Sequence, residues 1–344
     1  MIGRLLMGMA MCAALVAASK ASAQAIVTPE ADRRGTEQTY LTYPEWFLVF
    51  SPAEYADYLR RQPPSGFPFL GHVRQFWQSY GHVDRATREK YPPNAEYHTM
   101  IKVIGVSTTI EYGLRTIYER LIGRLTELTT DYPRTAEDKL AADVAQEYVD
   151  FIRLKPWYEF DFASRLKRVW AADWWGDDLL RKWERKYALT TEYAAKGLYG
   201  WLLGMASRAT YGVSKETTLV VVDRVPEGIE IELPQLQRIA TQADGSVLVS
   251  LPRYEPFTLY AKTLAAHGAR FVEIAGNRDV ILVTAWTPSG WQPPVDFGEP
   301  LFVERILTLP QFQRVALQVP VPALDRALAT LSVEPFKLEH VFDY

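Results

Sequence analysis

Residues 94–128 read NAEYHTMIKVIGVSTTIEYGLRTIYERLIGRLTEL, and the reading of this stretch decides how the first half of the chain folds. Val103, Val106, Ile110, Leu114, Ile117, Leu121, Leu125 and Leu128 recur at spacings of three and four, the period of one helix face. Pro92 and Pro93 end whatever precedes, and Asn94 can accept from the open amides of a first turn. The expectation is one long helix that buries this aliphatic stripe.

Working outward, the flanks carry further helix punctuation. Ser51-Pro52-Ala53-Glu54 has a cap, a first-position proline and a residue that can reach back to the cap, so a helix is expected to begin there. A helix over about 69–90 follows, and Thr135-Ala136-Glu137-Asp138 opens another that Pro156 stops. Shorter helices are expected over 164–172 and, strongly charged, over 177–187. A last one covers about 190–210 and ends at Gly212.

Two parts of this half match at an offset of 81 residues. Thr109, Glu111, Tyr112, Arg115, Tyr118 and Gly123 face Thr190, Glu192, Tyr193, Lys196, Tyr199 and Gly204. The match reads as a pseudo-duplicated helical unit. Glu111, Arg115 and Tyr118 share a face about 100° from the aliphatic stripe, at 3.6 residues per turn. Such a trio borders the core, where an unpaired polar group is costly. Two uses compete for Glu111, Arg115, Tyr118, Glu192, Lys196 and Tyr199. They tie the two copies together, or they bind a ligand with one glutamate as general base. The duplication favours the structural use, because active sites seldom need two equal copies.

Beyond about residue 217 the chain changes character. Apolar, β-branched runs over 217–222, 246–251, 270–275, 280–286, 313–319 and 337–342 alternate with helical patterns over 255–267 and 323–331. The runs 270–275 and 280–286 are expected to form a hairpin around 276–279, and 287–300 a loop. Strand, helix, strand used twice suggests a ferredoxin-like sandwich. The fold class is therefore α+β: an export signal over 1–23, an extension over 24–50, an all-helical domain over 51–212 and a smaller α+β domain over 213–344.

The export signal rests on Arg4, an uncharged apolar run over 5–18, and Ala21-Ser22-Ala23 before a cleavage site at Gln24. The apolar run is too short to span a bilayer. Cys12 lies within it, so the mature chain has no thiol and no disulfide. Cleavage leaves 36 cations against 41 acids, and this mild negative balance gives no case for nucleic acid. A periplasmic or secreted protein is expected.

Catalytic motifs are weak. Glu96, His98 and Lys102 bring a carboxylate, an imidazole and an ammonium near one helix start, with Glu96 turned away from the other two. Ser164-Arg165-Leu166-Lys167 matches a short serine–lysine pattern without its companion motifs. No histidine pair has metal-ligand spacing, so no metal or cofactor is expected. Eight of the ten tryptophans lie between Trp46 and Trp201, and Trp170, Trp174 and Trp175 cluster. The first reading is an exported protein that binds a small ligand or an envelope protein. A periplasmic enzyme using the acid–base residues is the second, and a peripheral membrane contact through the aromatic surface the third.

Overall fold

The computed structural model describes residues 28–130, 135–210 and 216–344. The expected signal at 1–23 with Cys12, and the helix end at Gly212, lie outside the described residues.

A turn of helix over Gln38–Leu41 leads into α1, Tyr43–Leu59. This corrects the expected start at Ser51. Trp46, Phe47, Val49 and Phe50 bury in one core with α2 (Phe69–Lys90), and their packing carries the helix through Pro52 despite the backbone bond that proline removes. Ser51 therefore caps nothing; its hydroxyl shares a 2.8 Å hydrogen bond with that of Tyr112.

The next helix is the expected one. Asn94 accepts from the Tyr97 amide at 3.2 Å, and α3 runs Ala95–Tyr118, widens into a π turn at Glu119–Gly123 and closes over Arg124–Glu127. Its stripe faces the wrong way, however. Leu114 is 64% exposed and Leu128 78%, and the rest of the aliphatic series is exposed with them. The buried side carries Ile101, Gly105, Thr108, Tyr112 and Thr116 instead. Small residues let α3 approach α2 closely: the rings of Phe76 and Trp77 fill the space a Cβ at Gly105 would need. Periodicity identifies a face; only the neighbouring helix decides which face turns inward.

The expected capping box forms at Thr135 and Asp138 and opens α4, Ala136–Ile152. Asp161 caps α5, Phe162–Ala171, and α6 is one uninterrupted helix over Leu179–Thr210. The expected break between residues 187 and 190 is absent, and the charged run beneath it explains why. Arg181 pairs with Asp138 at 2.9 Å, Lys182 and Lys186 grip the fully buried Glu137 at 3.0 and 3.2 Å, and Arg185 pairs with Glu119 at 3.0 Å. Those pairs lock α6 against α4 and the π turn, so nothing at Thr190 has to restart a helix.

The second half holds two four-stranded antiparallel sheets. β1 (Thr217–Val222), β2 (Gln237–Thr241), β3 (Val247–Pro252) and β4 (Phe271–Ile274) lie in the order β2-β3-β1-β4. β5 (Val280–Pro288), β6 (Glu299–Arg305), β7 (Phe312–Pro320) and β8 (Lys337–Val341) lie in the order β6-β7-β5-β8. In each, a helix joins the third strand to the fourth: α7, Glu255–Ala266, and α8, Leu324–Leu331. The two sheets also share their irregularities. Register slips between Val221 and Val222 in one and between Thr284 and Ala285 in the other, and again between Arg238 and Ala240 and between Pro300 and Phe302.

The expected hairpin over 270–286 is thus not formed. β4 pairs with β1 and β5 with β7 and β8, so the chain passes from one sheet to the other at Ala275 and Gly276, both with positive φ. The expected loop at 287–300 gives way to β6 at Glu299, and neither edge strand, β2 or β6, was foreseen. Val220, Val249, Phe257, Leu264, Val283, Leu317 and Leu328 bring both sheets and both helices into one core.

The far face of the second sheet receives the helical half. Leu282, Phe302 and Phe342 pack with Tyr40, Tyr43 and Phe47. Arg314 on β7, 1% exposed, reaches Glu54 of α1 at 3.0 Å and Glu339 of β8 at 2.6 Å, with Glu304 beside it on β6. Among the described residues, no helix is long and apolar enough to cross a membrane.

Candidate ligand cavity

α1, α3, α4 and α6 frame a cavity of about 1010 Å3. Most of its wall is apolar or aromatic: Leu48, Met100, Ile104, Val144, Phe162 and Leu203 all line it. The exceptions are a group of four charges and several phenols.

The charges come from the two matched segments. α3 supplies Glu111 and Arg115, one turn apart and joined at 3.3 Å. α6 supplies Glu192 and Lys196, one turn apart and joined at 3.1 Å. The helices run antiparallel here, so each cation also reaches the other helix's acid: Arg115 meets Glu192, and Lys196 meets Glu111 at 3.1 Å. Arg115 further lies over the rings of Tyr55 and Phe69, and Lys196 over that of Tyr148. The result is a closed ring of two acids and two bases with no net charge.

Its electrostatics follow from that balance. Burial alone pushes both carboxyls up, but the adjacent cations outweigh it. Glu111 is held below the ordinary range by Lys196 and Arg115, and Glu192 is held at about 2 by Arg115 and Lys196. Burial works against the charge of Lys196, and the two glutamates more than offset it, so Lys196 is raised. Burial raises Tyr112 to about 12 and lifts Tyr55 and Tyr148 further. The ring is therefore fully ionised at neutral pH and the phenols are neutral. A general base needs an affinity for protons near that of the medium, which neither glutamate has.

The members are not equally accessible. The Glu111 side chain is 41% exposed, whereas that of Arg115 is 16% exposed. Glu111 is thus the most accessible member of the ring, and the two cations back it.

Of the other residues singled out in the sequence, Tyr118 leaves the ring and donates to Glu184 at 2.7 Å. Tyr199 lies on the cavity wall against Trp157. Glu96 stands on the rim of the cavity. His98 faces α2 instead, sharing a 3.0 Å hydrogen bond with the Tyr80 hydroxyl, and Lys102 is exposed. No ion pair or hydrogen bond joins Glu96, His98 and Lys102. Ser164 and the exposed Lys167 lie on α5, where the Ser164 amide donates to Asp161. Among the described residues, no group of three or more histidine, cysteine or acidic side chains could hold a metal ion.

Sequence reasoning missed Ser51, Tyr55 and Tyr148 as cavity residues. The signal for Tyr112 and Tyr193 was present, since each follows the glutamate in the repeated Thr-x-Glu-Tyr pattern and both are buried. Compared with known proteins, the chain matches no family, no curated protein and no solved structure.

Proposed function

We propose that this is a binding protein whose cavity takes a small amphiphile bearing a hydrogen-bond donor, an amine or a hydroxyl, at its polar end. The apolar body lies along the wall, and the donor meets Glu111. The observation that carries this reading is the open carboxylate of an otherwise self-neutralised ring inside an apolar cavity of about 1010 Å3. Cavities of this size, largely apolar with a few convergent polar groups, are the usual form of a small-molecule site. An ionised ring with depressed carboxyls suits recognition better than proton transfer, so binding is preferred to an acid–base enzyme.

Calorimetric titration with decylamine, decanol and decanoic acid tests both parts. Saturable one-to-one binding of decylamine is expected, at least tenfold tighter than decanoate and at least tenfold weakened by Ala145→Trp, which places an indole in the cavity. Failure of all three compounds to bind removes the cavity from the function, and decanoate binding tightest removes the headgroup assignment.

The crosswise pairing of Glu111, Arg115, Glu192 and Lys196 supports reading the helical half as a pseudo-duplicated pair. The strand order, with the first crossover cut to the single turn Ile229–Glu232 in one sheet and to Val295–Phe297 in the other, supports two ferredoxin-like units. The cation, apolar run and small residues over 4–23 support reading the protein as exported.

A further inference from the structure

The aliphatic stripe of α3 is matched by a second one on α6. Leu180, Trp183, Tyr187, Leu198, Trp201 and Met205 recur at spacings of three and four, or their sums, and all are exposed. The two helices lie antiparallel, tied by the charge ring and by the Tyr118 and Tyr187 rings, whose centroids are 6.3 Å apart. The α3 stripe sits about a quarter turn from that seam at 3.6 residues per turn, whereas the α6 residues sit further round, Trp201 about half a turn from Glu192. Because the helices are antiparallel, the α3 stripe and the exposed Leu198, Tyr199 and Leu202 of α6 turn to the same side and form one apolar face, which the rest of the α6 stripe continues round the far side of that helix. So broad an exposed apolar surface marks an interaction site.

The exposed charges along the flank of this face have one sign, and acids stand only at its ends. Along residues 97–128 and 179–205, the acids are taken up by internal partners: Glu111 and Glu192 in the ring, Glu119 and Glu184 by Arg185, and Glu127 by Ser65 and Arg181. The exposed charges left over are Lys102, Arg120 and Arg124, all on α3. Glu96, Asp173 and Asp177 stand only at the ends of the face. Aliphatic side chains bordered by cations, with tryptophan and tyrosine alongside, form the pattern of a helix lying in an anionic lipid interface.

We infer that the α3–α6 face docks on the surface of a bilayer containing anionic phospholipid, without crossing it. A second copy of the chain fits less well. An antiparallel twofold contact through the α3 stripe sets Lys102 of one copy against Arg120 and Arg124 of the other, cation on cation. Met100, Val103 and Tyr199 belong both to this face and to the cavity, so docking turns the cavity toward the lipid. The docking itself stands independently of the ligand.

The test is co-sedimentation of the full chain with vesicles of phosphatidylcholine alone or with one-third phosphatidylglycerol. Wild type is expected to partition at least tenfold more strongly onto the anionic vesicles. Leu114→Glu with Ile117→Glu should lower partitioning at least tenfold on those vesicles, and the milder Leu114→Ser several-fold. Both should leave the melting curve unchanged, since these side chains touch water. Lys102→Glu with Arg120→Glu and Arg124→Glu should reduce binding to the level of neutral vesicles. Ala145→Trp should leave partitioning unaltered, which keeps this outcome separate from that of ligand binding. Equal partitioning of wild type and the Leu114 variants overturns the inference. So does a wild-type dimer in sedimentation velocity that Leu114→Glu converts to monomer without any vesicle binding.

Discussion

In the cavity two carboxylates face two cations, whereas between the halves three carboxylates, Glu54, Glu304 and Glu339, face Arg314 alone. The first cluster opens toward water and the second is sealed. His72 adds no charge to it, because burial and then the nearby Arg314 lower that imidazole to about 3. The difference shows in the protons. Where cations match acids, the glutamates are pushed down, Glu192 to about 2. Where acids outnumber the cation, burial wins over Arg314 and carries Glu54 to about 7 and Glu304 to about 8. A buried acid without a full share of positive charge keeps its proton.

Removing the cation from each cluster breaks this comparison most directly. Arg314→Met leaves three carboxylates in a sealed site, and the loss of stability to urea should reach about 3–5 kcal/mol at pH 7. The Phe50 ring that Arg314 covers would not compensate. A loss below about 1 kcal/mol would mean that water reaches the cluster and that it is not sealed.

The two clusters should also respond to pH with opposite signs. Glu304 has a folded value of about 8, above its ordinary 4.5. Its stabilising protonated form is thus fully present below about pH 4.5 and is lost as pH rises through 8. Between those limits the fold loses up to about 1.4 kcal/mol per pH unit through this group. Glu304→Gln cannot lose that proton. The variant should match wild type near pH 4.5, gain stability relative to it progressively as pH rises to about 8, and keep a constant margin above that. Parallel stability curves for the two proteins would show that Glu304 is already ionised in the fold.

How far these features could be read from sequence differs in the same way. The charge ring was written in one recurring pattern, because both of its halves sit at helical spacing on matched segments. The Arg314 cluster was invisible: Glu54, Glu304, Arg314 and Glu339 lie far apart in the chain and meet only once α1 has docked on the second sheet. Asn94 and Thr135 were legible because capping is local. The direction of the α3 stripe was not, because a helix with apolar residues on one side and small residues on another can bury either. The run 181–186 is the converse. Four cations within six residues suggest a separate charged helix, and only the acids of α4 and the π turn draw them inside. The edge strands β2 and β6 escaped notice because an edge carries polar residues such as Gln237, Arg238, Glu299 and Glu304, and loses the apolar run that marks a central strand.

The smallest expected effect sharpens the comparison from the open side. Glu192 is held at about 2, below its ordinary value, so its contribution is complete above about pH 4.5 and disappears as pH falls through 2. Water in the cavity screens the ring, and Glu111 shares its cations, so the stability at stake is about 1 kcal/mol, less than the shift alone would suggest. Glu192→Gln should therefore cost about 1 kcal/mol at pH 6 and nothing at pH 2, measured by thermal melts across that range. Arg115→Met should cost a similar amount at pH 6, because Lys196 remains to hold both acids and neither is left stranded as the acids around Arg314 would be. If Arg115→Met proved as damaging as Arg314→Met, the ring would have to be closed to water, and a carboxylate waiting for a ligand in an open cavity would no longer describe Glu111.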